Sequence, residues 1–280
     1  MKLLYLTVWD FQNAESNGIC KKILTQVRTL RNMGFEVDFG YTKQGVVYLE
    51  QGQQEKKLGS VPASLNIVLA HNVFASALKN THYDGVYIRH CASNPCYIHL
   101  LSVLKKNCDK ILVEFPTYPY DKELTGDIKM KLGYFMDHTT RGFMKKYVDK
   151  VVTYSNDISI FGIPTIKTMN GVDFASIPMV KNIGTTDKIN LIAVAMLSPW
   201  HGYDRVISGL KEYYSGKSEK KKTVCFHLVG EGKELEKYKE MVSEYHLSDV
   251  VKFYGNQAGE SLNKIYEKAD IAVSSLGLHR

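Results

Sequence analysis

Residues 189–214 of the chain read INLIAVAMLSPWHGYDRVISGLKEYY. The apolar run at residues 189–197 predicts a buried strand, and a polar turn at residues 198–202 separates it from a helix that begins near Tyr203. A strand, a tight turn and a helix place backbone N–H groups and a helix N-terminus at the carboxyl edge of a parallel sheet, where a phosphate binds well. The alternative is an ordinary βα connection, which is the default turn of this fold class.

The polar turn contains three candidate ligand-binding residues, Ser198, His201 and Gly202. His201 offers a hydrogen-bond donor, and Gly202 allows the backbone to turn or to approach a ligand closely. Each of these residues also has a purely structural explanation, because glycine and serine are common in turns.

Two further glycine-bearing turns follow predicted strands in the same half of the chain. Ligands bind outside the carboxyl ends of strands in open α/β sheets, so we predict that these turns share one sheet edge with residues 198–202. We also predict that they face the loop at Asn17 and Gly18, with Gly18 on the donor side and Asn17 on the acceptor side, and that together these loops outline a cleft. The residues of the two further turns are Gly230, Glu231, Gly232, Gly255 and Asn256.

Strands and helices alternate along the whole chain, which predicts an α/β fold with parallel sheets. The pattern fades between residues 174 and 187 and restarts at Ile189, so we predict two domains. The second domain has about four predicted strands. The loop after the first strand has no glycine but Gly18, and a G-x-G-x-x-G dinucleotide fingerprint is therefore absent.

Composition limits the classes of partner. The net charge of +7 permits an anionic ligand, but no dense Lys/Arg tract of the kind that binds nucleic acid is present. The five cysteines are scattered without C-x-x-C spacing, which predicts reduced thiols in a cytoplasmic protein and no zinc site. No apolar run approaches the length of a membrane-spanning helix.

The segment EFPTYPYDKE, residues 114–123, follows another predicted strand. Glu114 at its start is the candidate catalytic residue: it is a general base, a group that binds a sugar hydroxyl, or a structural carboxylate that holds the loop. Tyr118 and Asp121 in this proline-stiffened loop are the candidates for contact with an acceptor. The histidines show no metal-ligand spacing, so no metal site is predicted.

A long helical pattern at residues 128–150 mixes basic and apolar residues. Such a helix can lie on an anionic membrane surface. The alternative is a domain helix that packs its apolar side on the sheet, and Asp127, Asp137 and Asp149 favour it because they dilute the positive charge. The basic residues are Lys129, Lys131, Arg141, Lys145, Lys146 and Lys150.

Several segments, taken together and in order, resemble family 4 glycosyltransferases. SNGICKKILTQVRTLRNMGFEVDF is similar to the opening of that family, and TIKTMNGVDF to the segment where the chain leaves the first domain. AVAMLSPWHGYDRVISGL resembles the strand and loop that hold the donor diphosphate. HLVGEGKELEKYKEMVSEYHLSDVVKFYGN resembles the next two strands, whose loops hold the nucleotide. EFPTYPYDKE is similar to members that build bacterial capsular and other surface polysaccharides.

The resemblance implies a GT-B fold, with two Rossmann-like domains facing a cleft. Residues 1–173 are then the acceptor-binding domain, residues 174–187 the crossover, and residues 188–280 a nucleotide-sugar domain. It implies transfer, with retention, from a UDP- or GDP-sugar to a glycan or polyprenyl-linked acceptor. Neither a metal nor a further cofactor is expected. The expected location is cytoplasmic, peripheral on the inner face of the membrane.

Three departures from the family pattern are visible. Met196 and His201 stand where many members have an Arg and a Lys in the diphosphate loop, and no histidine occurs in FPTYPYD. The E-x7-E segment that holds the donor sugar would lie beyond Arg280, so we expect the second domain to be incomplete. A non-catalytic sugar- or acceptor-binding remnant is therefore one alternative, and an NAD-dependent oxidoreductase is another.

Overall fold

The computed structural model resolves into two compact units, Met1–Val172 and Asp173–Arg280. The crossover predicted at residues 174–187 lies outside the described residues, apart from residues 179 and 187. The described residues are 1–12, 18–52, 54–121, 128–171, 179, 187–216 and 222–277.

The first unit contains a nine-stranded sheet in the described part of the chain, with the order β4-β3-β2-β1-β5-β6-β7-β9-β8. The strands from β2 to β9 in this order pair in parallel, and the antiparallel pairs lie at the two ends of the sheet. The strands are β1 Lys2–Asp10, β2 Glu36–Lys43, β3 Val46–Gln51, β4 Gln54–Ser60, β5 Tyr83–Arg89, β6 Cys108–Phe115, β7 Lys150–Thr153, β8 Ser159–Ile160 and β9 Ile163–Lys167. The helices are α1 Gly18–Asn32, α2 Asn66–Leu78, α3 Pro95–Lys105 and α4 Ile128–Thr140.

Helices cover both faces of this sheet, so the strands carry apolar residues on both sides. Along β1, Leu4 packs into the core that includes Phe74 of α2, and the next residue, Tyr5, packs into the core that includes Ile23 of α1. This alternation produces the doubly wound architecture that the sequence predicts.

Strands β3 and β4 are an addition that the sequence analysis did not predict. Gln44 and Gly45 both have positive φ angles and join β2 to β3 as a two-residue hairpin loop. Strand β4 is largely exposed and carries Lys56 and Lys57, which suit the edge of a sheet because charged side chains discourage pairing with another chain.

The helix predicted at residues 128–147 is shorter than expected. It ends as α4 at Thr140, and a 3-10 turn, Arg141–Lys146, continues it. The Thr139 hydroxyl donates to the Phe135 carbonyl at 2.9 Å, and the Thr140 hydroxyl donates to the Met136 carbonyl at 2.7 Å. These bonds occupy carbonyls in the last turn of the helix and favour its tightening. Among the described residues, no helix has both the length and the apolar character needed to cross a membrane.

The second unit has a four-stranded parallel sheet of order β12-β11-β10-β13, in agreement with the predicted strand count. Its apolar core includes Leu197, Ile207, Leu210, Phe226 and Tyr238. Its strands are β10 Lys188–Val194, β11 Thr223–Val229, β12 Val251–Phe253 and β13 Ile271–Ala272, and its helices are α5 Asp204–Ser215, α6 Leu235–Glu244 and α7 Gly259–Tyr266.

The loop after β11 packs directly against the chain that follows β10. A Cβ atom at Gly232 would lie 2.2 Å from the carbonyl oxygen of Leu197. No side chain fits that gap, because the obstacle is backbone that is itself held by hydrogen bonds: the Leu197 N–H donates to the Glu231 carbonyl, and the Leu197 carbonyl accepts from the Glu234 N–H.

We predict that Gly232→Ala lowers the free energy of unfolding of the second unit by about 1–3 kcal/mol, because the added methyl group forces two packed backbones apart. Gly209→Ala in α5 is the control, since nothing lies within 4 Å of a Cβ there. Removing a helical glycine should stabilise the unit by up to about 1 kcal/mol. Urea unfolding curves check both values, and equal effects of the two substitutions would contradict the close packing.

Candidate functional site

Three loops of the second unit meet at one edge of its sheet. Strands β10, β11 and β12 are adjacent and parallel, and β10 pairs with β11 without a break from Lys188↔Thr223 to Val194↔Val229. Their carboxyl ends therefore lie at the same level. The sequence analysis predicted this convergence of the turns at residues 198–202, 230–232 and 255–256, and the sheet order confirms it.

Hydrogen bonds tie these loops to one another. The Leu197 N–H donates to the Glu231 carbonyl at 2.8 Å, and the Gly230 N–H donates to the Gly255 carbonyl at 2.7 Å. The Asn256 amide donates to the Glu231 carboxylate at 3.2 Å. The predicted residues of the β11 and β12 turns thus form one connected surface, and Gly230 and Gly232 pack closely against the backbone of Ala195 and Leu197.

Ser198 and His201 form a reciprocal capping box around the 3-10 turn Pro199–His201. The Ser198 N–H donates to His201 Nδ1 at 3.2 Å, so Nδ1 accepts and the neutral ring carries its proton on Nε2. The ring also stacks on Tyr203, with 5.5 Å between ring centres. The capping box therefore fixes the tautomer of His201 and makes Nε2 its donor atom.

A fourth strand end, which the sequence analysis did not assign, completes this edge. Beyond β13, the Leu276 N–H donates to the His201 carbonyl at 2.7 Å, and the Gly277 N–H donates to the Trp200 carbonyl at 3.1 Å. Gly202 has a φ of +64°, and a Cβ atom there would lie 2.8 Å from the Gly277 nitrogen. The available signal in the sequence was Gly277, which follows a short apolar strand much as Gly230 follows β11.

The remaining predicted donor-binding residue, Gly18, belongs to the first unit, where it is the exposed first residue of α1. Asn17, predicted on the acceptor side, lies outside the described residues. Met196 is exposed in the chain that follows β10, and its thioether adds no charge there.

Glu114 is the centre of a buried polar network at the carboxyl ends of β5 and β6. Its side chain is 0% exposed. Its Oε1 accepts from Arg89 Nη1 at 2.7 Å and from the Tyr154 hydroxyl at 2.6 Å. Its Oε2 accepts from the Tyr87 hydroxyl at 2.9 Å and from Gln26 Nε2 at 3.2 Å. Four donors occupy the carboxylate, which favours the structural alternative for Glu114 over a general base.

The strand register accounts for the ion pair of this network. Arg89 is the last residue of β5 and lies directly opposite Glu114 of β6. Burial raises the pKa of Glu114, but the Arg89 guanidinium and the Tyr154 and Tyr87 hydroxyls outweigh it, so the pKa lies below its ordinary value of 4.5. Glu114 is therefore ionised at neutral pH.

Lys22 brings helix α1 into the network. Its Nζ donates to the Tyr154 hydroxyl and to the Asn170 side chain, lies 4.3 Å from the centre of the Tyr154 ring, and lies 3.7 Å from Glu114 Oε1. Burial lowers the pKa of Lys22, and the Glu114 carboxylate opposes that shift. Lys22, Arg89 and Tyr154 were not predicted; the available signal for Arg89 and Tyr154 was a charged or tyrosine residue at a strand end.

The acceptor-side candidates Tyr118 and Asp121 lie in the loop after β6. The Asp121 carboxylate accepts from Arg141 Nη1 at 2.6 Å, and the Tyr118 ring packs edge-to-face against Phe161 at 5.8 Å. Arg141 also lies over the Phe161 ring, 4.5 Å from its centre. Both candidates therefore have structural contacts that hold the loop.

One group of side chains in the described part of the chain has metal-ligand chemistry. The ligand atoms of His82, Asp84 and Asp109 lie within 4.8 Å of one another. They lie at the amino ends of β5 and β6, opposite the edge that holds Glu114, and Asp84 accepts from the Lys2 N–H at 2.6 Å. This largely exposed group lies apart from the edge that holds Glu114.

We predict that Glu114→Gln destabilises the first unit by about 3–5 kcal/mol, because it leaves the Arg89 charge buried without its counter-ion. Glu50→Gln is a matched control. Glu50 Oε1 also lies 2.7 Å from an arginine, Arg31, but both side chains of that pair are partly exposed. The control should cost less than about 1 kcal/mol. Equal losses of unfolding free energy in denaturant experiments would show that burial does not increase the contribution of the Glu114–Arg89 pair to stability.

The depressed pKa of Glu114 also predicts a pH dependence. Its stabilising effect is fully present above the unfolded-state pKa and is lost as the pH falls through the lower folded-state pKa. Wild type should therefore lose more stability than Glu114→Gln between neutral pH and the acid range below 4.5. Melting curves across that range check the difference, and parallel losses would contradict it.

Comparisons with known proteins agree with this architecture. Residues 178–277 match the family model described as glycosyl transferases group 1. The uncharacterized glycosyltransferase MJ1069 of Methanocaldococcus jannaschii is 26% identical over 165 residues, which cover 55% of this chain and 41% of that protein. The chain thus spans about two fifths of that relative's length.

Solved structures of low sequence identity share the fold. The apo form of the lipopolysaccharide outer core galactosyltransferase WaaB is 14% identical with a TM-score of 0.56, over 97% of this chain and 73% of that one. A glycosyltransferase from Rickettsia africae is 15% identical with a TM-score of 0.55, over 98% and 72%. Trehalose-6-phosphate synthase OtsA is 10% identical with a TM-score of 0.57, over 99% and 79%. The chain therefore shares the fold of these GT-B glycosyltransferases, and residues 178–277 match the glycosyl transferases group 1 family.

Proposed function

We propose that this chain transfers a sugar from a nucleotide-sugar, with UDP or GDP as the nucleotide, to a glycan or polyprenyl-linked acceptor. The proposed setting is bacterial surface polysaccharide synthesis at the cytoplasmic face of the inner membrane. The sugar keeps its anomeric configuration, and neither a metal nor a further cofactor takes part. The surface polysaccharide assignment rests on the resemblance of residues 114–123 to such enzymes.

The observation that carries the proposal is the joined edge of the second unit. Three adjacent parallel strands end at one level, and their loops are held together by backbone hydrogen bonds around Leu197, Glu231 and Gly255. The chain after β13 packs on the same edge beside His201. A rigid edge of this kind is the usual place for the phosphates of a nucleotide in an open α/β sheet.

The chemistry needs charge stabilisation on the leaving diphosphate. In the proposed step, the bond between the anomeric carbon and the diphosphate oxygen breaks, and the acceptor oxygen bonds to that carbon on the same face. The acceptor proton passes to the departing diphosphate. His201, whose Nδ1 accepts from the Ser198 N–H, offers Nε2–H as the side-chain donor of this turn, and it takes the role of the lysine found in many family members.

Two alternatives remain distinguishable by experiment. A non-catalytic remnant would bind the nucleotide without transferring or hydrolysing the sugar, so isotope-labelled UDP- and GDP-sugars separate it from an enzyme. An oxidoreductase would bind NAD in preference to UDP or GDP. The loop after β1 offers Gly18 alone in place of the glycine-rich fingerprint, and this disfavours NAD.

We predict that UDP or GDP raises the melting temperature of the protein and that His201→Ala weakens its binding roughly 10-fold to 100-fold, since one hydrogen bond to a charged group is lost. His99→Ala, at an exposed position of α3, is the matched control and should leave affinity unchanged. Calorimetric titration gives the dissociation constants.

The matching nucleoside, uridine or guanosine, separates a diphosphate contact from damage to the loop. His201→Ala should leave nucleoside binding unchanged, because the nucleoside has no diphosphate. Equal losses for nucleotide and nucleoside would show that His201 acts only by holding the turn. If no nucleotide shifts the melting temperature at millimolar concentration, the proposed donor site is contradicted.

A further inference from the structure

Helix α4 and the 3-10 turn after it expose a stripe of large apolar side chains. Leu132 is 59% exposed, Phe135 is 65% exposed and Phe143 is 49% exposed. Leu132, Phe135 and the exposed Thr139 follow one another at intervals of three and four residues and therefore lie on one side of α4. Phe143 lies in the 3-10 turn that follows. A row of exposed aromatic and aliphatic side chains marks an interaction surface more often than isolated ones do.

Lysines flank the stripe. Lys131, Lys145 and Lys146 are all exposed, and the Lys146 ammonium lies 5.3 Å from the centre of the Phe143 ring. Within the part of the chain that the structure describes, no carboxylate oxygen lies within 4.0 Å of any of these three ammonium groups. We name the six side chains Leu132, Phe135, Phe143, Lys131, Lys145 and Lys146 the α4 face.

The aspartates that should dilute this charge point elsewhere. Asp137 is 0% exposed, and it accepts from the Ser93 N–H at 2.7 Å, from the Tyr120 hydroxyl at 2.9 Å and from Arg141 at 3.3 Å. Asp149 accepts from Lys105 Nζ at 2.9 Å and from a backbone N–H of β6. Asp127 lies outside the described residues. The charge of the α4 face is therefore purely positive among the described side chains.

We propose that the α4 face binds an anionic lipid surface. The aromatic and leucine side chains enter the boundary between headgroups and acyl chains, and the lysines contact the anionic headgroups. Charge argues against a second copy of this chain as the partner, because a twofold contact would bring two sets of three lysines together. An anionic lipid surface complements the same charges.

Helix α4 and the 3-10 turn after it contact the predicted acceptor loop within the first unit. Arg141, in the 3-10 turn, donates to Asp121 at 2.6 Å, and Asp137 of α4 accepts from Tyr120. Lipid contact at this face would therefore bring the segment that carries residues 118–121 to the membrane surface, where a lipid-linked acceptor lies. This link rests on the proposed function, whereas lipid binding itself does not need a donor and is tested without one.

Flotation with vesicles tests the proposal in the absence of nucleotide. Wild type should float with vesicles of equal parts phosphatidylglycerol and phosphatidylcholine, and should release at high salt and from pure phosphatidylcholine. The variant Lys131→Gln/Lys145→Gln/Lys146→Gln should partition roughly 100-fold more weakly, from the loss of three lysine contacts. Leu132→Ser/Phe135→Ser/Phe143→Ser should also lose binding, because the apolar insertion is removed.

Matched controls remove the same charge and the same apolar area elsewhere. Lys56→Gln/Lys57→Gln/Lys79→Gln alters three exposed lysines, and Met33→Ser/Ile67→Ser/Ile158→Ser alters three exposed apolar residues. Both controls should bind vesicles like wild type. Equal loss in the controls, or no binding by wild type, would overturn the proposal.

Light scattering without lipid examines a second copy as the partner. A wild-type dimer that becomes monomeric in the apolar α4 variant would assign the face to self-association and overturn the proposal, whereas a monomer in both supports it. Nucleotide melting shifts, measured without vesicles, report on the donor site alone. Failure of lipid binding and failure of the proposed function are therefore separate results.

Discussion

Parallel pairing in register is the constraint on which both units depend. In the second unit, β10 and β11 pair over seven consecutive residues and end together at Val194 and Val229. Because strand ends at one level leave little room between neighbouring loops, the backbone of Gly232 must pass within contact of Leu197. In the first unit, the same kind of register sets Arg89 opposite Glu114. One geometric rule therefore produces a close backbone contact in one unit and a buried ion pair in the other.

The two edges differ in how their polar groups are satisfied. The edge of the second unit is held by backbone groups, with His201 as a side-chain donor fixed by Ser198. At the edge of the first unit, the positive charges of Lys22 and Arg89 already face Glu114. Backbone N–H groups and a histidine donor suit the charge of a diphosphate, whereas the two cations of the first edge are engaged with a buried carboxylate. This difference supports a donor on the second unit.

The alternation of apolar segments and glycine turns was enough to predict the α/β class, the four strands of the second unit and the convergence of its loops. The β3–β4 hairpin was not predicted, because its edge strand β4 is mostly polar and hydrophobic patterning detects strands that have a buried face. The network around Glu114 was not predicted for a different reason. Its members come from helix α1, from strands β5 and β6 and from the residue after β7. The strand order and register bring the Tyr87 and Tyr154 hydroxyls to the Glu114 carboxylate, and Tyr5 of β1 donates to its partner Gln26.

The surface charge of the α4 face also could not be predicted from the sequence, and here the structure changes the interpretation of residues 128–150. Counted along the sequence, residues 128–150 contain acids and bases together and read as a solvated helix. In the folded chain, Asp137 turns inward to Tyr120 and Arg141, so one acid and one base leave the surface as a bonded pair. The α4 face then carries three exposed lysines beside Leu132, Phe135 and Phe143. Burial of a salt bridge thus separates the charge of a segment from the charge of its surface, and only the latter reaches a partner.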